Sequence, residues 1–177
     1  TVTNILRHVK SEGKKISVIA CETRPRFQGR ITAKELASYK IPTTLIVDGA
    51  ANVFIKDVDM VLVGGDAITS QGDLINKIGT SSVANLARIH DIPFYSAVEL
   101  FKFDPLTLFG FKEKIEERDK HEVWKVPAAG VKIRNPAFDV TFARYINGYI
   151  TEEGITPSQS LLSVVREKYN MFRRVKK

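Results

Sequence analysis

The chain has one cysteine, Cys21. It can close no internal disulfide, so a reducing cytoplasm is the expected compartment. No apolar run approaches the roughly 20 residues needed to span a bilayer, so no membrane partner is expected. Residues 1–15 are amphipathic and carry neither a signal-peptide core nor a cleavage site. The three histidines, His8, His90 and His121, fall in different predicted elements. With a single cysteine they make no zinc pattern, and neither a metal nor a cofactor is expected. Two phosphate motifs are missing as well: there is no G-x-x-x-x-G-K-[ST] loop, and no G-x-G-x-x-G follows a strand. Nucleotide hydrolysis and nicotinamide chemistry are therefore poor readings. Spacing alone reveals no Ser-His-Asp arrangement and no paired-carboxylate motif.

What remains is the balance of a globular protein: 177 residues, 44% hydrophobic and 27% charged. That length suits one well-buried domain, and no repeat, low-complexity tract or linker divides it. The net charge is +7. Part of it closes the chain as Arg173, Arg174, Lys176 and Lys177, which read as a solvated basic tail; direct nucleic-acid binding is not expected.

Two hydrophobic periods alternate along the sequence. Val2, Ile5, Leu6 and Val9 share a helical face, and Gly13 stops that helix. Residues 16–20, 44–47, 60–63 and 93–98 read as strands. Their nearly continuous apolar character suits a parallel sheet covered by helices on both faces. Thr32-Ala33-Lys34-Glu35 has the form of a capping box starting a second helix, and residues 78–90 predict another. Residues 112–122 are dense in charge and read as a solvated excursion. Segments 121–126 and 131–134 read as edge strands. Phe142, Tyr145, Ile146 and Tyr149 return to the helical period, and Thr156-Pro157 introduces a last helix bearing Leu161, Leu162, Val165 and Tyr169.

In open parallel sheets the ligand lies beyond the carboxyl ends of the strands. That rule selects residues 21–25, Asp48-Gly49-Ala50, Gly64-Gly65-Asp66 and 99–102. Asp66 follows two glycines, and Asn76-Lys77 precedes a predicted helix start ten residues on. An ammonium, an amide and free backbone N–H groups at a helix start favour a phosphate. The plainer alternative makes Asp66 a turn residue, Asn76 a cap and Lys77 a surface residue.

Four segments carry a resemblance. Residues 22–29 are similar to an E-[ST]-R-P-x-x-Q-G motif, and Gly64-Gly65-Asp66-Ala67-Ile68 with residues 76–80 to G-A-D-x-I…N-K-x-G-T. Residues 99–103 match E-x-[FY]-K-F, and residues 135–141 with 150–154 match N-P-x-F-D-x-T-P…I-T-E-x-G. In this order they resemble the family of initiation factor 2B α, β and δ subunits, ribose-1,5-bisphosphate isomerase and methylthioribose-1-phosphate isomerase. Phe142 stands where the family usually has proline, and Gly65 where it has alanine.

The resemblance implies an α/β fold: three-layer, doubly wound, with a mainly parallel sheet and Rossmann-like topology (NagB/RpiA/CoA-transferase-like). It implies that residues 1–177 form the carboxy-terminal sugar-phosphate-binding domain, with the usual amino-terminal helical domain absent. The implied chemistry is aldose–ketose isomerisation of a phosphorylated pentose. Asp66 takes the catalytic aspartate's place, where apolar crevice walls would bury it. Asn76, Lys77 and Lys102 are implied to grip phosphate, with Arg24 and Gln28 as further candidates. The family's catalytic cysteine lies upstream of the first helix, and Cys21 matches a non-catalytic strand end, so this fragment alone is expected to be inactive. The alternative is a non-catalytic initiation factor 2B subunit homologue that binds a sugar phosphate or nucleotide and docks on initiation factor 2. Implied partners are further copies of the chain or related 2B subunits. Residues Phe101, Phe103, Leu106, Leu108, Phe109 and Phe111 are either their interface or buried core.

Overall fold

A computed structural model describes residues 1–170. The basic residues from Arg173 onward lie outside the described residues. The chain opens with helix α1 (Val2–Ser11), whose predicted apolar face is half-buried. Strand β1 (Val18–Cys21), helix α2 (Gln28–Ser38) and strand β2 (Thr43–Ile46) follow as a βαβ unit. The two strands pair in parallel, from Val18 opposite Thr43 to Cys21 opposite Ile46. Helix α2 lies against both and buries Leu36 completely. A short helix α3 (Ala51–Phe54), with single 3-10 turns before and after it, leads to β3 (Val61–Val63).

A hairpin comes next: β4 (Ala67–Ile68) and β5 (Leu74–Lys77) pair antiparallel. Helix α4 (Thr80–Ile89) and strand β6 (Phe94–Ala97) follow, then a long excursion, β7 (Phe138–Thr141), β8 (Gly148–Thr151), β9 (Gly154–Thr156) and α5 (Leu161–Lys168). Strands β3, β6 and β8 are parallel neighbours, with β9 antiparallel at their edge. Strands β4, β5 and β7 form a separate antiparallel sheet. The architecture is thus α/β with mixed sheets.

The core lies where these sheets meet α4 and α5. Ile68, Leu74, Phe94, Leu100, Tyr149, Leu161 and Val165 are buried there, each contributing on the order of 1.5–3 kcal/mol by leaving water. Tyr149 keeps its hydroxyl satisfied inside the core by donating to the Gly72 carbonyl at 2.8 Å.

Several local expectations are corrected. Helix α2 starts at Gln28, so Thr32-Ala33-Lys34-Glu35 lies inside it and is no capping box; Phe27, in the left-handed region at φ 58°, sets the true start. Strands β1 and β2 are only partly buried, with Leu45 exposed, so they are not covered on both faces. Residues 121–126 hold a 3-10 turn, and residues 131–134 form no strand. Phe142, Tyr145, Ile146 and Tyr149 do not share a helix. A 3-10 turn at Ala143–Tyr145 and strand β8 divide them, since Asn147 and Gly148 follow and the backbone there pairs with β6. In the phenylalanine-rich stretch Phe103 is buried and Leu108 packs on the core, whereas Phe101, Leu106, Phe109 and Phe111 are exposed.

Candidate functional site

The loop from β1 to α2 is shaped by close backbone contact. The Asp48 carboxylate accepts the N–H groups of Thr23 at 2.8 Å and Arg24 at 2.7 Å, so the second residue after β2 fastens the loop after β1. A Cβ placed on Gly29 would lie 1.7 Å from the Cys21 carbonyl oxygen, so only glycine permits this approach. Arg24 reaches away from the loop to donate to the Val123 carbonyl at 2.9 Å. Gln28 is exposed at the first position of α2. Burial, followed by the nearby Asp48 carboxylate, pushes the Cys21 thiol pKa up, which disfavours the nucleophilic thiolate.

The β4–β5 hairpin assembles the other predicted residues. The Asp66 N–H donates to the Ile75 carbonyl at 2.9 Å, placing Asp66 across from the Ile75-Asn76-Lys77 segment. The Lys102 ammonium donates to the Gly65 carbonyl at 2.6 Å. Lys77 is electrostatically coupled to Asp66, and also to Arg118, Glu122 and Arg26. Asn76 directs its amide nitrogen to the Thr80 hydroxyl at 3.0 Å, and that hydroxyl donates to the Lys77 carbonyl at 2.7 Å. The structure therefore gathers Asp66, Asn76, Lys77 and Lys102 around one hairpin. Arg24 is tied to the excursion by a separate contact. Asp66 is exposed, so the described residues do not supply the apolar walls expected around it. Gly65 is buried, and an added Cβ would meet Leu74 and Val98 at 3.0 Å or less, so the family's alanine would require them to shift.

The expectation of free N–H groups at the start of α4 is corrected. The Asp139 carboxylate accepts from Gly79 at 2.7 Å and from Ser81 at 3.1 Å, so a side chain from β7 already caps the helix. Two of the N–H groups at this helix start are thus already taken. Burial raises the Asp139 pKa first, and the N–H donors of Ser81 and Gly79 pull it back. Sequence reading noted the Asn135–Thr141 motif but missed this role, because nothing in the spacing shows which helix start β7 will face.

The charge-dense excursion is solvated, as read, but also pinned. Glu117 pairs with Arg134 and accepts the Asn135 N–H at 2.9 Å. Arg118 forks onto Glu122 at 2.9 and 3.1 Å. Asn135, buried, donates to the Asp119 carbonyl at 2.8 Å. Among the described residues no group of histidine, cysteine and carboxylate side chains has the arrangement of a metal site. No described helix is long and apolar enough to cross a membrane. Two hollows lie away from the hairpin. One, of about 220 Å³, is bordered by Arg88, Asp91 and Arg144; the other, of about 270 Å³, is lined by Leu100, Phe101, Phe103 and Val165.

With this geometry in place, residues 1–158 match the family model described as the initiation factor 2 subunit family. The chain belongs to that family. Within it, the chain is 49% identical over 168 residues to ribose 1,5-bisphosphate isomerase of Methanocaldococcus jannaschii, covering 94% of this chain and 54% of that protein. The structure of 5-methylthioribose 1-phosphate isomerase from Pyrococcus horikoshii matches with a TM-score of 0.84 and 35% identity, over 95% of this chain and 50% of that one. The translation initiation factor eIF-2B structure from the same organism matches with a TM-score of 0.78 and 35% identity, over 88% of this chain and 54% of that one. This initiation factor 2 subunit family member thus spans about half the length of the relatives it matches. The resemblance read from its four motifs holds, and so does the α/β class.

Proposed function

We propose that this chain is the sugar-phosphate-binding half of a ribose 1,5-bisphosphate isomerase. The reading rests most on one observation: a single hairpin brings Asp66 beside the segment carrying Asn76 and Lys77, while Lys102 is bonded to the residue before Asp66. Lys77 and Lys102 offer the positive charge that a phosphate needs, and the Asn76 amide would exchange Thr80 for a phosphate oxygen. Arg24, on the β1–α2 loop, and Gln28, at the first position of α2, are weaker candidates for phosphate contact. Asp66 serves as the acid–base group: the bond from C1 to the ring oxygen breaks and that oxygen takes up a proton, the C2 hydrogen is moved as a proton to C1, and the 2-hydroxyl gives up its proton to become the ketone, so the product is the 2-ketose isomer with no atom gained or lost.

The preceding half of the protein, helical in this family, would close the exposed side of Asp66 and bring a cysteine to the sugar's other face. The parallel strands and their helices are read as parts of a three-layer, Rossmann-like arrangement. A cytoplasmic homo-oligomer is the expected working form.

The test is turnover of ribose 1,5-bisphosphate by the full-length protein beside its Asp66→Asn variant. A loss of at least about 100-fold in kcat is expected for a missing acid–base group. Equal turnover by the variant would remove Asp66 from the mechanism. Tight sugar-phosphate binding without turnover by the wild type would favour the non-catalytic subunit, for which docking on initiation factor 2 is then the experiment to run.

A further inference from the structure

We propose that Arg118 and Arg26 form a second phosphate subsite beside Lys77, which the Glu122 carboxylate holds in the free protein and yields to the second phosphate of a bisphosphorylated sugar. The inference rests on the sugar-phosphate reading and extends it to what distinguishes two phosphates from one.

The geometry is that of an anion held by guanidinium groups. Glu122 Oε1 accepts from Arg118 Nη2 at 2.9 Å and Oε2 from Arg118 Nε at 3.1 Å, a two-pronged grip that phosphate oxygens can also take. Arg26 Nε lies 3.9 Å from the same carboxylate, and Asn135 Nδ2 lies 3.4 Å from it. These groups come from separate parts of the chain. Arg26 belongs to the β1–α2 loop, Arg118 and Glu122 to the excursion, and Asn135 to the segment before β7. The excursion is drawn over the loop a second time where Arg24 donates to the Val123 carbonyl at 2.9 Å.

Backbone bonds tie this cluster to the hairpin: the Ile78 N–H donates to the Ala137 carbonyl at 3.0 Å and the Ala137 N–H to the Glu116 carbonyl at 2.8 Å, which joins the residue after Lys77 to the segments carrying Asn135 and Arg118. Lys77 responds to the same groups. Its ammonium pKa is lowered, first by burial and then by Arg118, with Arg26 acting the same way and Glu122 and Asp66 opposing. Three cations thus face three carboxylates, since Glu116 also lies 3.7 Å from Arg118. If Glu122 swings away, Lys77, Arg118 and Arg26 outnumber Glu116 and Asp66, and a phosphate can take the place of the departed carboxylate. Glu122 is on a solvated excursion rather than in a packed strand, so its departure breaks no sheet. Lys102, bonded at Gly65, serves the first phosphate.

Calorimetric titration of the full-length protein with ribose 1,5-bisphosphate, ribose 1-phosphate and ribose 5-phosphate tests this. Arg118→Met should weaken the bisphosphate roughly 10- to 100-fold, the usual worth of a charge-assisted contact, while at least one monophosphate loses less than about threefold. Arg26→Met, on an exposed side chain that does not hold the excursion in place, should act in the same direction more weakly. Glu122→Gln should tighten the bisphosphate by a few-fold. Bisphosphate binding indifferent to both arginines would overturn the subsite alone. So would Glu122→Gln weakening the bisphosphate as much as Arg118→Met, because Glu122 would then be a support for the arginines and not a stand-in. Wild-type protein that binds none of the three sugars overturns the subsite and the sugar-phosphate reading together.

Discussion

Lys102 donates to the Gly65 carbonyl at 2.6 Å, so the 3-10 turn after β6 is fastened to the residue preceding Asp66. The ammonium is therefore both a phosphate candidate and a brace for the hairpin. Its two roles separate by measurement. Lys102→Met should cost about 1 kcal/mol in urea unfolding, the net worth of a hydrogen bond. Affinity for ribose 1,5-bisphosphate should fall much further, by roughly tenfold or more, since a charge leaves the site. Equal small losses in both assays would leave Lys102 as a brace only.

Gly29 is predicted to be the least replaceable residue of the β1–α2 loop. An alanine Cβ would fall 1.7 Å from the Cys21 carbonyl oxygen, and neither backbone can yield without unfastening β1 from α2. Gly29→Ala should lose more than about 3 kcal/mol of unfolding free energy, whereas Gly49→Ala, where an added Cβ meets nothing within 4 Å, should change it by less than about 1 kcal/mol.

Asp139 carries a pH signature. Its folded-state pKa is raised above the reference 3.8, mainly by burial. Such a group binds its proton more tightly when folded. Its favourable contribution is therefore full below the unfolded value and is lost as pH rises through the folded one. Urea midpoints of wild type and Asp139→Asn, followed upward from pH 3.8, should show the wild type losing ground to the variant. A constant difference between the two would contradict this account of Asp139.

Glu117 and Glu122 carry the opposite sign. Their pKa values are lowered chiefly by the hydrogen bonds of Arg134 and Arg118, so the contribution is present above the unfolded value and lost as pH falls below 4.5. The excursion should loosen on acidification where Glu117 holds Arg134 and the Asn135 N–H. Amide exchange at Arg118 and Ala137, whose N–H groups bond to Asn135 and Glu116, should lose protection there while Tyr149 in the core keeps its own. Protection at Arg118 and Ala137 that persists as long as at Tyr149 would show that the ion pairs do not hold the excursion.

Much of this fold was legible because hydrophobic period is a local property. Helix α1, the parallel strands β1, β2, β3 and β6, and α5 all lie within a few residues of where the apolar pattern placed them. The failures have physical causes. Strands β4 and β5 are two and four residues long, too short for a period to register. Around Phe142 to Tyr149 the apolar spacing mimics a helix, but pairing with β6 decides the backbone instead. The helix start at Gln28 depends on Gly29 meeting Cys21, a contact between segments that no capping motif reports. At the site, Asp66 and Lys77 were legible as types and spacing. The capture of the α4 start by Asp139 was not, since its partners Gly79 and Ser81 are 60 and 58 residues away.

The central claim is that Asp66, Asn76, Lys77 and Lys102 attend one phosphorylated sugar. Titrating the ¹⁵N-labelled chain with ribose 1,5-bisphosphate and following its amide signals tests it most directly. The account predicts saturable shifts centred on Gly65, Asp66, Asn76, Lys77 and Lys102, extending to Arg118. Shifts gathered instead around Arg88 and Arg144, at the hollow of about 220 Å³ away from the hairpin, would contradict it.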